Sequence, residues 1–385
     1  MKPINLHPPF FNKKNTIKNL NSCIKSGWVA TSGKYIDKFE KQITKFTGSK
    51  YAVGTNSGTA ALHLAIKILG AKKDDEIIVP TLTFVATINC VIYNYCNPIF
   101  MDCDEFYNID LNKVLDFLKN ETFFNGRFTI NKKTKKRISI LIITHVWGNA
   151  ANVRIVKSFC KKKNIKIIED ASESLGTRYQ DNKHTGTIGD IGVFSFNANK
   201  IVTTGGGGMI ITDNVNYAKL AKYYASQAKD NNIYFIHNNV GFNYRMTNIS
   251  AALGVSQMKD LYIRLKKKKI IFEFYKKNLN NKYFSIMEPP SYAKSNFWLN
   301  VVKLKKLNFN ILNKYISIFI KKKIFVRPVW KLNHLQKPFK NYQNYKIKKS
   351  IELTKKSICL PSYPHLSKSE QQRVLKILNK DINDL

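Results

Sequence analysis

Residues 193–212 read "VFSFNANKIVTTGGGGMIIT". Two apolar, strand-like runs enclose one cation, Lys200, and four glycines, Gly205 to Gly208. A lysine at a strand end, followed by backbone without side chains, can sit against a ligand that a bulkier loop would exclude. A lysine in a partly desolvated pocket loses its proton more readily, because burial disfavours the charged form. The neutral amine can then condense with an aldehyde.

The surrounding pattern gives the fold class. From about residue 50 to 212, short β-branched runs alternate with helical ones: "YAVGT" then "TAALHLAIKIL", "EIIVPT" then "VATINCVIYN". "PIFMDCD", "ISILIITHVW", "IKIIED", "VFSFN" and "GMIIT" follow as strands. Near-continuous apolar strands between helices indicate a mainly parallel sheet buried on both faces, an α/β fold. Beyond "NYRMTNISAALGVSQM", the helical run "LYIRLKKKKIIFEFYKKNL" leads into a mixture of strands ("FWLNVVKL", "FVRPVW") and helices ("FNILNKYISIFIKK", "SEQQRVLKILNKDI"). This divides the chain into an N-terminal segment plus large domain, 1–259, and a small C-terminal α/β domain, 260–385.

Composition bounds the function. At 385 residues and 44% apolar content the chain is long enough for two globular domains. Its longest apolar runs fall short of the ~18 residues of a membrane span, and "MKPINLHPPFFNKKN" lacks the apolar region of a signal peptide. The expected location is cytoplasmic, with no membrane partner. The six cysteines (Cys23, Cys90, Cys96, Cys103, Cys160, Cys359) form no C-x-x-C pair and read as reduced core thiols, with no metal site. The net charge of +39 is spread along the chain, in "NKKTKKR", "KKKK" and two "KKK" runs. Without clustering or a recognisable binding motif, it reads as a solvated lysine-rich surface rather than a specific nucleic-acid site.

Two further segments complement Lys200. In "VGTNSGTAALHLAI" a strand ends and a helix begins near Thr59, with Gly58 allowing close backbone approach and Ser57 and Thr59 adding hydroxyls. Such a helix start offers free N–H groups to an anion, although taken alone it is an ordinary N-cap. In "IKIIEDASESLG", Glu169 and Asp170 lie at the carboxyl end of a strand, where ligands of open α/β sheets bind. A carboxylate there can face a cationic ring nitrogen, or merely cap a helix. An aldehyde, a phosphate and a ring nitrogen occur together in pyridoxal 5'-phosphate, and the chain supplies a partner for each.

With these residues the sequence resembles the DegT/DnrJ/EryC1/StrS sugar aminotransferases, members of the fold-type-I (aspartate aminotransferase-like) pyridoxal phosphate enzymes. The resemblance runs from "SGWVATSGKYIDKFE" to "CLPSYPHLS" and is carried by "SGTAALHLA", "VPTLTFVATIN", "IEDASESLG", "FSFNANKIVTTGGGGM" and "GFNYRMTNISAALG". It implies Lys200 as the cofactor-bonding lysine and Asp170 as the partner of the pyridinium nitrogen. Glu173 falls near the ring hydroxyl, Gly58, Thr59 and Ser195 at the phosphate, and Phe84 at the position that stacks on the ring. Asn243 matches an asparagine that reaches the phosphate of the neighbouring subunit, which implies a homodimer with shared active sites. His145, His237, Arg327 and Trp330 are candidate substrate contacts; structural histidines and a solvated arginine are the plain alternatives. Two departures concern substrate choice: many relatives carry an acidic residue at Gly206, and Trp147 stands where Tyr or Phe is commoner.

The implied reaction moves an amino group from glutamate to a nucleotide-diphospho-ketosugar. The similarity is greatest to the bacillosamine- and legionaminic-type branch, hence a UDP-2-acetamido-2,6-dideoxy-4-ketohexose aminated at C4. The alternatives are a GDP-4-keto-6-deoxymannose 4-aminotransferase and a non-catalytic, cofactor-binding regulator of the same fold.

Overall fold

The computed structural model describes residues 2–231, 233–280, 282–306 and 309–380. Seven strands form the centre of the large lobe: β1 (Tyr51–Thr55), β2 (Glu76–Pro80), β3 (Asn97–Met101), β4 (Arg137–Thr144), β5 (Lys166–Asp170), β6 (Ile191–Ser195) and β7 (Gly208–Thr212). Their order across the sheet is β1-β7-β6-β5-β4-β2-β3. β3, β2, β4, β5 and β6 pair in parallel. β7 alone of these runs antiparallel to both its neighbours, β6 and β1. The carboxyl ends of six strands and the amino end of β7 therefore share one edge.

Alternation along each strand feeds a core on either face. In β2, Ile77 and Val79 join one cluster and Ile78 the other. The helix Gly58–Ile68 is apolar nearly all round and almost wholly buried, as a helix laid on a doubly covered sheet requires. All six cysteines are free and buried.

The second lobe is an antiparallel sheet of β8 (Phe284–Ile286), β9 (Asn300–Leu304), β10 (Arg327–Pro328) and β12 (Ser357–Leu360), in the order β8-β9-β12-β10. Helices Leu261–Asn278, Phe309–Lys321 and Lys368–Leu378 pack on it. The strand expected from Phe297 begins only at Asn300, because Phe297 adopts a left-handed conformation at φ +51°. We propose residue 260, between the helices Asn248–Lys259 and Leu261–Asn278, as the lobe boundary. Three strand pairings cross it, one of them between Ala293–Lys294 and Arg178–Tyr179. Ile4 pairs with Ile324 of the second lobe, and β11 (Asn344–Tyr345) adds in parallel to β3 of the large sheet.

The lysine run at 266–269 is not uniformly solvated as its charge suggested. Lys266, Lys267 and Lys269 are exposed, but Lys268 is buried, on the same helical face as Leu261, Arg264, Ile271 and Tyr275. Its ammonium donates to the carbonyls of Trp298 (2.9 Å) and Ser362 and to Nε2 of His7 (3.0 Å). Burial holds it well below the ordinary lysine range.

A buried carboxylate ties the crossing segment to the large sheet. Asp102, next to the end of β3, accepts from the amides of Lys348 (2.8 Å), Lys349 (2.8 Å) and Ser350 (2.7 Å) and from Lys113 Nζ (2.5 Å). Burial alone would raise its pKa, but these donors outweigh it and hold the carboxyl well below the usual range. A depressed value contributes stability above the unfolded pKa of ~3.9 that is lost as pH falls through the folded one. Asp102→Asn should cost about 3 kcal/mol at pH 7. Denaturant unfolding should show the gap narrowing below pH ~4.

Candidate active site

A cavity of about 720 Å³ opens at the carboxyl edge of the large sheet, walled on one side by the second lobe. Lys200 reaches it from the loop between β6 and β7. Its Nζ lies 3.2 Å from Glu173 Oε1 and 4.1 Å from the ring centre of Trp298. Glu173 Oε2 accepts the backbone N–H of Trp147 at 2.9 Å. Burial pushes the Glu173 carboxyl above the usual range, against the pull of Lys200.

Glu169 and Asp170 are neighbours in β5 and so face opposite sides of the sheet. Asp170 lines the cavity, accepting from Thr87 Oγ1 (2.8 Å) and the Ser172 amide (3.1 Å). Thr83 extends this hydroxyl chain, 3.3 Å from Thr87 and 3.2 Å from Thr144. Glu169 points away, bonded to His145 Nε2 (2.9 Å) and the amides of Gly186, Ile188 and Gly189. Burial would raise its pKa, but His145 and these amides hold it below the ordinary value.

At the helix start, Ser57 is extended and its hydroxyl accepts the Ala60 N–H at 3.0 Å. The amides of Gly58 and Thr59 have no acceptor among the described residues. A Cβ on Gly58 would lie 2.8 Å from Cβ of Ser195, so this helix start packs directly on the end of β6. The glycine run serves the same contact: a Cβ on Gly208 would lie 2.3 Å from the Ser57 carbonyl oxygen. Gly207 makes room for Thr204, and Gly205 takes φ +80°. Gly205 and Gly206 both face open space, and Gly206 lies at the cavity wall.

The other candidates separate clearly. Phe84 lines the cavity, 56% exposed, with its ring 6.3 Å from that of Trp330, which lies 5.2 Å from Trp147. Arg327 and Trp330 are wall residues, beside Lys331. His145 is not in the wall. It is fully buried, accepts the Ala151 amide on Nδ1 at 3.0 Å and therefore donates from Nε2 to Glu169. His237 is on an exposed loop outside the cavity, 2.9 Å from the carbonyl of Gln227. Asn243 is exposed and also outside its own chain's cavity, with its carbonyl accepting from Asn56 Nδ2 at 3.2 Å. Thr87, Thr144, Ser172, Trp298 and Leu6 were not singled out from sequence, yet all line the cavity.

The model of the DegT/DnrJ/EryC1/StrS aminotransferase family matches residues 11–379. The chain belongs to that family.

EpsN of Bacillus subtilis (strain 168) is 34% identical, over 98% of this chain and 95% of its own. The GDP-perosamine synthase of Escherichia coli O157:H7 is 30% identical over 100% of both chains. The solved structure of Helicobacter pylori PseC, an aminotransferase of pseudoaminic acid biosynthesis, superposes with a TM-score of 0.89 over 100% of both chains at 24% identity. The fold is that of the fold-type-I enzymes, and the family's aminotransferases use pyridoxal 5'-phosphate.

The residues present fit that cofactor. The free amides of Gly58 and Thr59, with the hydroxyl of Ser195, would offer donors to a phosphate at a helix N-terminus. Asp170 supplies a buried carboxylate, Phe84 an accessible aromatic face, and Lys200 the amine. No helix among the described residues is long and apolar enough to cross a membrane. Gly58→Ala would press a methyl onto Ser195 and should weaken pyridoxal phosphate binding about tenfold or more. Titrating the cofactor-free protein by fluorescence measures this, and an unchanged Kd would show that the phosphate is held elsewhere.

Proposed function

We propose that this aminotransferase carries an amino group from glutamate to the C4 ketone of a nucleotide-activated 4-keto-6-deoxy sugar. The preferred substrate is a UDP-2-acetamido-2,6-dideoxy-4-ketohexose. The observation that carries the reading is the convergence of Lys200, Asp170 and the Ser57–Thr59 helix start on one cavity, although they lie far apart in sequence. Bound pyridoxal phosphate supplies an aldehyde that accepts the amine and a ring that spreads the charge left when a proton departs.

The chain's own residues position and move that proton. Lys200 Nζ would take it from the α-carbon of the amino donor, become an ammonium beside Glu173, and release it again from Nζ. Asp170, aligned by Thr87 and the Ser172 amide, would hold the cofactor's ring nitrogen and favour its protonated form. With the keto sugar bound, Lys200 performs the same transfers in reverse. At the mouth, Arg327 and Lys331 offer charge to a diphosphate, while Phe84 and Trp330 offer an apolar wall to the sugar's methyl group.

A second reading, a GDP-4-keto-6-deoxymannose 4-aminotransferase, is supported by the full-length match to a GDP-perosamine synthase. Comparing kcat/KM on the two ketosugars decides between them, and a clear preference for the GDP sugar would select the second. For either substrate, Lys200→Ala should lose the cofactor's visible absorbance on the lysine and lower turnover on the order of a thousandfold or more. Normal turnover by that variant would remove Lys200 from the mechanism.

We also propose a homodimer in which Asn243 serves the partner's cofactor phosphate, supported by its exposure outside its own cavity. A closed two-fold dimer is the commonest soluble assembly. Mixing Lys200→Ala with Asn243→Ala subunits should then restore part of the activity, because one hybrid site regains both residues. A fully active monomer in solution would refute the shared site.

A further inference from the structure

Lys200 has a second partner that its hydrogen bonds do not reveal. The indole of Trp298 lies with its ring centre 4.1 Å from Nζ, the closest cation–ring pair among the described residues. Trp298 comes from the second lobe and is 3% exposed, and the Lys200 side chain is 13% exposed. Both are largely removed from water, where an aromatic face attracts a cation most strongly.

The turn that presents Trp298 is fixed from every side. Asn296 donates its amide N–H₂ to the carbonyls of Glu173 and Leu175 (2.9 Å each) and its backbone N–H to Thr177 Oγ1 (3.0 Å). Its Oδ1 accepts the Trp298 amide at 2.8 Å. Ser295 Oγ donates to the Gly148 carbonyl and accepts from Phe297. Gly148 stands at φ +94°, and a Cβ there would lie 1.9 Å from Asn296 Oδ1.

Between these anchors Phe297 is forced to φ +51°, a strained conformation for a bulky residue, with its ring stacked on Phe272 at 4.5 Å. The Trp298 indole N–H donates to the carbonyl of Asn199, beside Lys200, at 2.9 Å. Its own carbonyl accepts from the buried ammonium of Lys268. Strain this over-determined is retained where it aims a group, and the group aimed is the indole.

We infer that Trp298 is a further catalytic residue: its π face holds the Lys200 ammonium in the stages when that nitrogen is free of the cofactor and carries the proton taken from substrate. No covalent bond forms to the indole; the proton passes from the substrate carbon to Nζ and leaves again from Nζ. Glu173 Oε1 and the indole face Nζ together, at 3.2 Å and 4.1 Å. Lys268 acts through Trp298 and is a positioning residue. The inference rests on the proposed role of Lys200, but its principal test does not depend on cofactor.

The test is site-specific replacement of Trp298 by mono-, di- and tetrafluorotryptophan, which drains the π face with little change of shape, alongside Trp298→Leu. In the full-length cofactor-free protein, acetylation of Lys200 is followed by peptide mass spectrometry at fixed pH, with surface lysines as internal references. Its rate should rise stepwise with fluorination, about three- to tenfold across the series, as the ammonium is released. In the loaded enzyme kcat should fall in the same order, with KM for the amino donor unchanged within about twofold. Thermal melting confirms that the fluorinated proteins are folded. Rates flat across the fluorinated series, with a loss only in Trp298→Leu, would make Trp298 a space-filler and overturn the proposal. Failure to bind pyridoxal phosphate would refute the functional reading instead, leaving the acetylation result intact.

Discussion

One constraint organises the molecule: the Lys200 ammonium must be held away from bulk water at the edge of a sheet, where backbone alone cannot hold it. A desolvated cation needs a counter-charge or a polarisable face. Here the large lobe supplies Glu173 and the second lobe supplies Trp298. The reversal of β7 brings the chain back to the edge it has just left, so one loop carries Lys200 out of β6 and into β7. That return is possible because Gly208 lets β7 start against the Ser57 carbonyl, at the start of the helix Gly58–Ile68. The lysine, the helix start and the strand reversal are therefore one packing solution.

Much of this was legible in the sequence, for a local reason. Strands β1 to β7 announce themselves by short apolar runs, and Lys200, Asp170 and Gly58 each lie at or just beyond a strand end within a motif of a few residues. What was missed depends on contacts distant in the chain. Thr87 acquires meaning only through Asp170, and Trp298 through Lys200, and no local pattern marks either. The reading of "FWLNVVKL" as continuous strand failed because tertiary anchors on Asn296 override the β-propensity of Phe297. His145 was misleading for a different reason. It follows the end of β4 at the right edge, but its ring is drawn beneath the sheet by Glu169.

Lys268 shows where a signal was present but masked. Leu261, Arg264, Lys268, Ile271 and Tyr275 recur at helical spacing, and the stripe runs through the lysine cluster. Charge suggested solvent, while periodicity pointed inward. Periodicity prevailed because Trp298 and Ser362 offer carbonyls, and His7 a ring nitrogen, to all three N–H groups of the ammonium.

The same arrangement explains how a chain with 64 basic and 25 acidic residues closes its interior. Four of its scarce carboxylates, Asp102, Glu169, Asp170 and Glu173, are buried, at the lobe junction, beneath the site and within it. Buried cations away from the cavity do without carboxylates. Arg264, lowered by burial to about 10, donates to the carbonyls of Ile201 (2.7 Å) and Gln257 (2.6 Å), and Lys268 to those of Trp298 and Ser362. Both neutral anchorages end next to Lys200, since Ile201 follows it and Trp298 lies against its Nζ. Carbonyl dipoles fix these cations without adding net negative charge near the cavity. Glu173 and Asp170 are then the carboxylates that line the cavity with Lys200.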